Sequence, residues 1–230
     1  MNEKISYFLS YLQKYSGNEE KLREFQIKDA KKIVLRDGFS YPPSTIAGID
    51  AAYINNTAYT ACVTLNFKNL KILEEKVITT ELKFHYKPGF FIFREGPPTL
   101  DILLKLKIVP DVILINSHGI SHPLGIGAAS HIGILIQKST IGVAQNILCG
   151  NVELPKKKGN CSPINYKNKI VGYAFLSQIN SKPIFISPGH LISLETSIKI
   201  IKNTIKAHKL PEPIRLAHQL ANLSKSQQLI

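Results

Sequence analysis

The sequence is short of three things, and each shortage removes a class of protein. It has three cysteines, Cys62, Cys149 and Cys161, and no CxxC pair. That excludes a disulfide framework and a zinc ribbon, and it fits free thiols in a reducing compartment. No apolar run reaches the roughly 18 residues of a membrane span. The N-terminus carries a short apolar patch but no long hydrophobic region followed by small residues, so it does not read as a secretory signal. The expected setting is the cytoplasm. Acidic residues are also scarce: 16 Asp and Glu stand against 29 Lys and Arg, a net charge of +13. A surplus of this size suits a polyanionic partner, nucleic acid or an anionic membrane surface. A lysine-rich background composition would produce the same surplus.

What is present is enough for a packed core, with 44% hydrophobic residues among 230. There is no internal repeat and no low-complexity linker. Residues 1–230 read as one domain, with residues 1–17 as a loosely attached extension. The apolar stripe Leu22, Phe25, Ile27, Ala30, Ile33, Val34 predicts a helix from Glu19 to Leu35, broken by SYPPS. Three strand-like runs follow, at 45–53, 58–67 and 72–82, separated by turn signals at Asn55-Asn56 and Lys68-Asn69. Residues 90–107 have helical spacing interrupted by Pro97-Pro98. VILIN (112–116) and TIGVA (140–144) are buried strands, with a helix at 129–136 between them. Two more strands, VGYAFL and PIFIS, precede a helix over 191–208 and a short one near Pro213. An antiparallel meander followed by strands alternating with helices makes an α/β fold, a mixed sheet covered on both faces. This is the order of the ribonuclease-H-like fold, although periodicity alone leaves other α/β folds open.

Three positions carry the chemistry. Asp50 sits inside the apolar run IAGIDAA, where a carboxylate is costly unless paired or bound to metal. Glu95 lies on the helix after the meander, beside Arg94. Asn116 closes VILIN, at the carboxyl end of a strand, a usual place for sites. Such residues can converge on a hard cation, which wants carboxylate oxygens and substrate phosphate. The alternative is structural: Asp50 caps a turn and Glu95 pairs with Arg94 or a lysine. Four histidines, His118, His122, His131 and His190, lie in or near a glycine-punctuated loop. A zinc site there is a weaker alternative, because His118 and His122 do not share a helical face.

AGIDAAY, FHYKPGFFIFREGPP, HGISHPLGIGAASHIG, TIGVA, SPGHLISLETS and PEPIRLAH, taken in order, resemble the endonuclease V family from about Gln26 to His218. The resemblance implies a ribonuclease-H-like fold and an endonuclease that uses Mg²⁺ or Mn²⁺ to nick DNA, or RNA in some members, near deaminated bases such as inosine. It implies a role in DNA repair, a monomer, and no membrane partner. Asp50, Glu95 and the residue at Asn116 would hold the metal, with His190 beside it. Tyr86, in the run Tyr86-Lys87-Pro88-Gly89, would be the wedge that fills the gap left by a flipped base. Pro88, Gly89, Gly119, His122, Gly127 and Leu148 would form the nucleic-acid surface and base pocket, with Gln145 near the phosphate.

The chain also departs from the family pattern. Asn116 stands where an aspartate is implied, Gln145 where a lysine is, Ser117 for a glycine and Leu124 for an arginine. Two functions follow: a metal-dependent endonuclease, or a related protein that binds inosine-containing or flexible strands without efficient cleavage. A third is a subunit of a larger nuclease system.

Overall fold

The computed structural model describes residues 3–227. Its first helix, α1 (Glu3–Tyr15), turns Ile5, Phe8, Leu9 and Leu12 toward the core, the spacing of an amphipathic helix. Ile5 and Phe8 are fully buried. This corrects the expected loose extension over 1–17: residues 1 and 2 lie outside the described residues, and the helix that follows them is packed. α2 (Glu19–Ala30) starts at Asn18, whose side chain accepts the Lys21 N–H at 3.1 Å, a cap worth about 1 kcal/mol. The helix stops short of the expected Leu35 because the Val34 backbone is used elsewhere. Its N–H donates to His190 Nδ1 at 3.3 Å, and its carbonyl accepts the Leu191 N–H at 2.7 Å.

The expected meander forms β1 (Thr45–Ile54), β2 (Thr57–Asn66) and β3 (Ile72–Glu81), all antiparallel. The two continuous apolar runs form β4 (Val112–Ile115) and β5 (Ser139–Ala144), buried throughout and parallel to β1. β6 (Cys161–Tyr166), β7 (Lys169–Phe175) and β8 (Ile184–His190) complete an eight-stranded sheet, in the order β3-β2-β1-β4-β5-β8-β7-β6. β6 was not foreseen. It contains Pro163 and is mostly not buried, and as an edge strand it can carry a proline at little cost.

α3 (Phe91–Leu104) and α4 (Ala128–Ile136) cover one face with α1 and α2; α5 (Leu194–Thr204) and α6 (Glu212–Ser226) cover the other. The expected interruption at Pro97-Pro98 is absent: α3 runs through both prolines. A mid-helix proline costs roughly 3 kcal/mol. Burial of Ile92, Phe93, Leu100 and Ile102 along the same helix offsets it. α5 is shorter than the 191–208 expected, and α6, with 15 residues, is longer than the short helix expected. α6 lies directly against β1 because position 48 is glycine. A Cβ there would sit 2.1 Å from the Pro213 carbonyl carbon. No described helix is long and apolar enough to cross a membrane.

Candidate active site

β1 and β4 are adjacent parallel strands with Ile49 beside Ile115. β4 ends there, and the Asn116 N–H donates to the Ile49 carbonyl at 3.1 Å. Asn116 is thereby set next to Asp50. Its Nδ2 donates to Asp50 Oδ1 at 2.8 Å, and the Ala51 N–H donates to the same oxygen at 2.9 Å. The other oxygen, Oδ2, lies 2.7 Å from His218 Nδ1 on α6. An ionised carboxylate only accepts, so this ring nitrogen is the donor. Asn222 Nδ2 lies 3.2 Å from the ring's Nε2 and secures its other end.

Glu95 arrives from α3 and is buried. The Tyr53 hydroxyl donates to its Oε2, and Arg94 Nε lies 3.5 Å from Oε1. Burial pushes the Glu95 carboxyl up to about 7, with Tyr53 and Arg94 pulling it back and Asp50 adding to the rise. Burial, reinforced by Glu95, holds the Tyr53 phenol far above its ordinary range. Arg94 is fixed in turn by the Phe84 carbonyl at 3.0 Å and lies 5.6 Å over the Tyr53 ring. The structural contacts foreseen as the alternative are therefore present in part. Asp50 does accept a neighbouring N–H, and Glu95 does face Arg94.

Asp50, Glu95, Asn116 and Tyr53 nonetheless line one recess of about 20 Å³, room for about one water-sized occupant. Two carboxylates and an amide oxygen are hard donors, a set that fits Mg²⁺ or Mn²⁺ better than a soft metal. Among the described residues no three His, Cys, Asp or Glu side chains group around a common point. Beside the two carboxylates, the amide of Asn116 and the hydroxyl-bearing Tyr53, Thr60 and Thr99 line the recess.

A second hollow, of about 350 Å³, opens beside the first, within the size range of small-molecule sites. Asn116 and Phe91 belong to the walls of both. Tyr86, Pro88, Gly89, Gly127, Gln145 and Leu148 line it, together with Gln26, Ser117, His118 and His122. Tyr86 is 66% exposed at its mouth. Gln26 Nε2 donates to the Gly89 carbonyl at 2.9 Å and ties the Tyr86 loop to α2. The α4 N-terminus closes the wall at Gly127, where a Cβ would lie 2.2 Å from the His118 carbonyl oxygen. Burial pushes His118 and His122 down to about 4, so near neutral pH both rings are uncharged.

The recess gathers Asp50, Glu95 and Asn116 as the sequence suggested, and the hollow gathers most of the pocket residues. Gly119 lies behind the wall: its N–H donates to Ser187 Oγ and its carbonyl accepts the Gly127 N–H. Leu124 is not on the wall; its N–H donates to His122 Nδ1 at 3.2 Å. His190 is a correction. It does not line the recess but is buried at the end of β8 with its Nδ1 on the Val34 N–H. Nor do the four histidines share a site. His118 and His122 line the hollow, while His131 is buried on α4, 3.5 Å from Asp29. The histidine that does reach Asp50 is His218, to which the sequence reading gave no role.

A family model described as Endonuclease V matches residues 27–219. Endonuclease V of Dictyoglomus turgidum is 43% identical over 206 residues, covering 89% of this chain and 90% of that protein. The protein of the same name from Thermosipho melanesiensis is 40% identical over 209 residues, covering 90% and 92%. The crystal structure of Endonuclease V from Streptomyces avermitilis superposes with a TM-score of 0.85 at 29% identity, over 93% of this chain and 95% of that one. Ciona intestinalis Endonuclease V, in complex with a 24mer DNA containing an inosine followed by a ribo-adenosine, gives 0.80 at 30% identity, over 90% and 98%.

Proposed function

This chain belongs to the endonuclease V family, and on that premise we propose that it is a metal-dependent endonuclease that nicks DNA, or RNA, near deaminated bases such as inosine. The observation that carries the reading is the shared wall. A hollow large enough for a nucleobase and a carboxylate recess meet at Asn116. A strand whose altered base turns into the hollow brings its own backbone to the carboxylates. Tyr86, exposed at the mouth, supplies a ring for stacking in place of the lost base. The uncharged rings of His118 and His122 and the backbone around Gly127 suit a neutral base edge better than a phosphate.

Asp50, Glu95 and the Asn116 amide oxygen are the residues that would hold Mg²⁺ or Mn²⁺. When bound, the ion would supply an activated water and stabilise the leaving oxygen. The chain's own part is positional: His218 holds Asp50, and Tyr53 and Arg94 hold Glu95. The reading extends to residues 1–230 as one domain acting as a cytoplasmic monomer in DNA repair, and the net charge of +13 favours a nucleic-acid partner. Asn116 and Gln145, both on the hollow's wall, favour a second reading in which the protein binds such strands and cuts them slowly or not at all.

Incubation of the purified protein with inosine-containing and unmodified strands, in Mg²⁺ and in Mn²⁺, separates the two. Nicking specific to the inosine strand is expected, falling at least about 100-fold in Asp50→Ala. Tight binding without nicking, with cutting gained by Asn116→Asp plus Gln145→Lys, would replace the first reading by the second.

A further inference from the structure

Resting on the nuclease reading above, we propose that in the free protein the recess is held together by its own hydrogen-bond donors instead of by a divalent cation, and that the cation binds weakly until a nucleic-acid strand is present. Three of the four carboxylate oxygens already accept a protein donor. Asp50 Oδ1 takes Asn116 Nδ2 and the Ala51 N–H, Asp50 Oδ2 takes His218, and Glu95 Oε2 takes the Tyr53 hydroxyl. The fourth, Glu95 Oε1, faces the Arg94 guanidinium at 3.5 Å.

Asn116 is the centre of this closure. Two carboxylates at positions 50 and 116 would repel and need a cation between them. An amide beside Asp50 instead donates to it. The same residue leaves the recess with one negative charge fewer to balance a divalent ion. A strand phosphate at the recess would restore that charge, and Asn116 also lines the hollow that would take the base. Cation and strand should therefore bind cooperatively. By linkage, each raises the other's affinity by one factor, roughly 5–150-fold for typical couplings.

The test is direct binding of Mn²⁺, read from the signal of free Mn²⁺ by electron paramagnetic resonance. Native protein and Asn116→Asp are titrated alone and with a saturating inosine-containing strand, whose own binding is followed by fluorescence anisotropy in Ca²⁺-free buffer. A blank with the strand alone is subtracted. Alone, the native chain is expected to bind Mn²⁺ at least about tenfold more weakly than Asn116→Asp. The strand should tighten native binding at least about fivefold and the variant's by less. Native protein that binds Mn²⁺ as tightly without the strand as with it overturns the proposal, even if Asn116→Asp fails to fold. In that outcome strand binding persists and the nuclease reading stands. If neither protein binds the strand, the nucleic-acid reading fails and takes the proposal with it.

Discussion

The hollow and the recess share a wall but are built from different materials. The hollow is framed by backbone in close contact. At Gly127 there is no space for even one added carbon, because the His118 carbonyl fills it. The recess is framed by side chains sent from β1, α3, β4 and α6, joined by hydrogen bonds. A backbone frame tolerates almost no substitution, since any change must move packed main chain. A side-chain frame can exchange one polar group for another so long as every buried oxygen still finds a donor. That contrast explains how an asparagine can sit among the carboxylates without disturbing the fold around them.

The largest effect should come from striking the backbone frame. Gly127→Val forces a side chain into the His118 carbonyl and should cost about 3 kcal/mol or more. In a chain of this size that lowers the melting temperature by roughly 6–12 °C, and inosine-strand binding should fall with it. Unchanged melting and binding would show that the wall is not fixed by packing.

Acid and base should then separate the two regions by sign. His118 and His122 have values depressed to about 4 from 6.5. The stability they confer is present above pH 6.5 and lost as pH falls toward 4. Glu95 has a value raised to about 7 from 4.5. Its contribution is present below pH 4.5 and lost as pH rises through 7. Each is worth on the order of 1–3 kcal/mol. Denaturant melts from pH 4 to 8 should lose most of their alkaline decline in Glu95→Gln and part of their acid decline in His122→Asn. The smallest effect on stability belongs to Tyr86→Ala, within about 0.5 kcal/mol because the ring is exposed. The same change should weaken preference for an inosine strand over an unmodified one by about 1–3 kcal/mol, read by competition anisotropy. A large melting shift with preference intact would make Tyr86 structural.

Much of this was legible in the sequence for a physical reason. Asp50 and Asn116 come together because β1 and β4 pair in parallel up to Ile49 and Ile115, and the apolar runs that carry them announce those strands. Glu95 follows from the helix after the meander. What escaped were contacts made by burial or by distance along the chain. The paired prolines of α3 read as a break because propensity is local, whereas Phe93 and Leu100 gain their burial from other elements. α1 was visible as an apolar patch, but its docking on α2, α3 and α4 was not. His190 took its place beside the metal from the family resemblance of its SPGH motif, yet β8 places it against Val34. His218 lies 168 residues from Asp50. Gly48 was its one advance signal: a glycine in the middle of an apolar strand often marks the close approach of another backbone, and here that backbone is the start of α6.

The seating of α6 on Gly48 sets an order of events during synthesis. The carboxylates are made early, at 50 and 95, but their histidine is made at 218, after every strand of the sheet. A nascent chain that has not yet reached Glu212 carries Asp50 without His218 and leaves Ile46 and Val63 without the α6 side chains that cover them. The recess is thus finished almost last, and a ribosome that stalls before α6 holds a sheet with an unfinished centre and a bare apolar face, a target for chaperones and not a working nuclease.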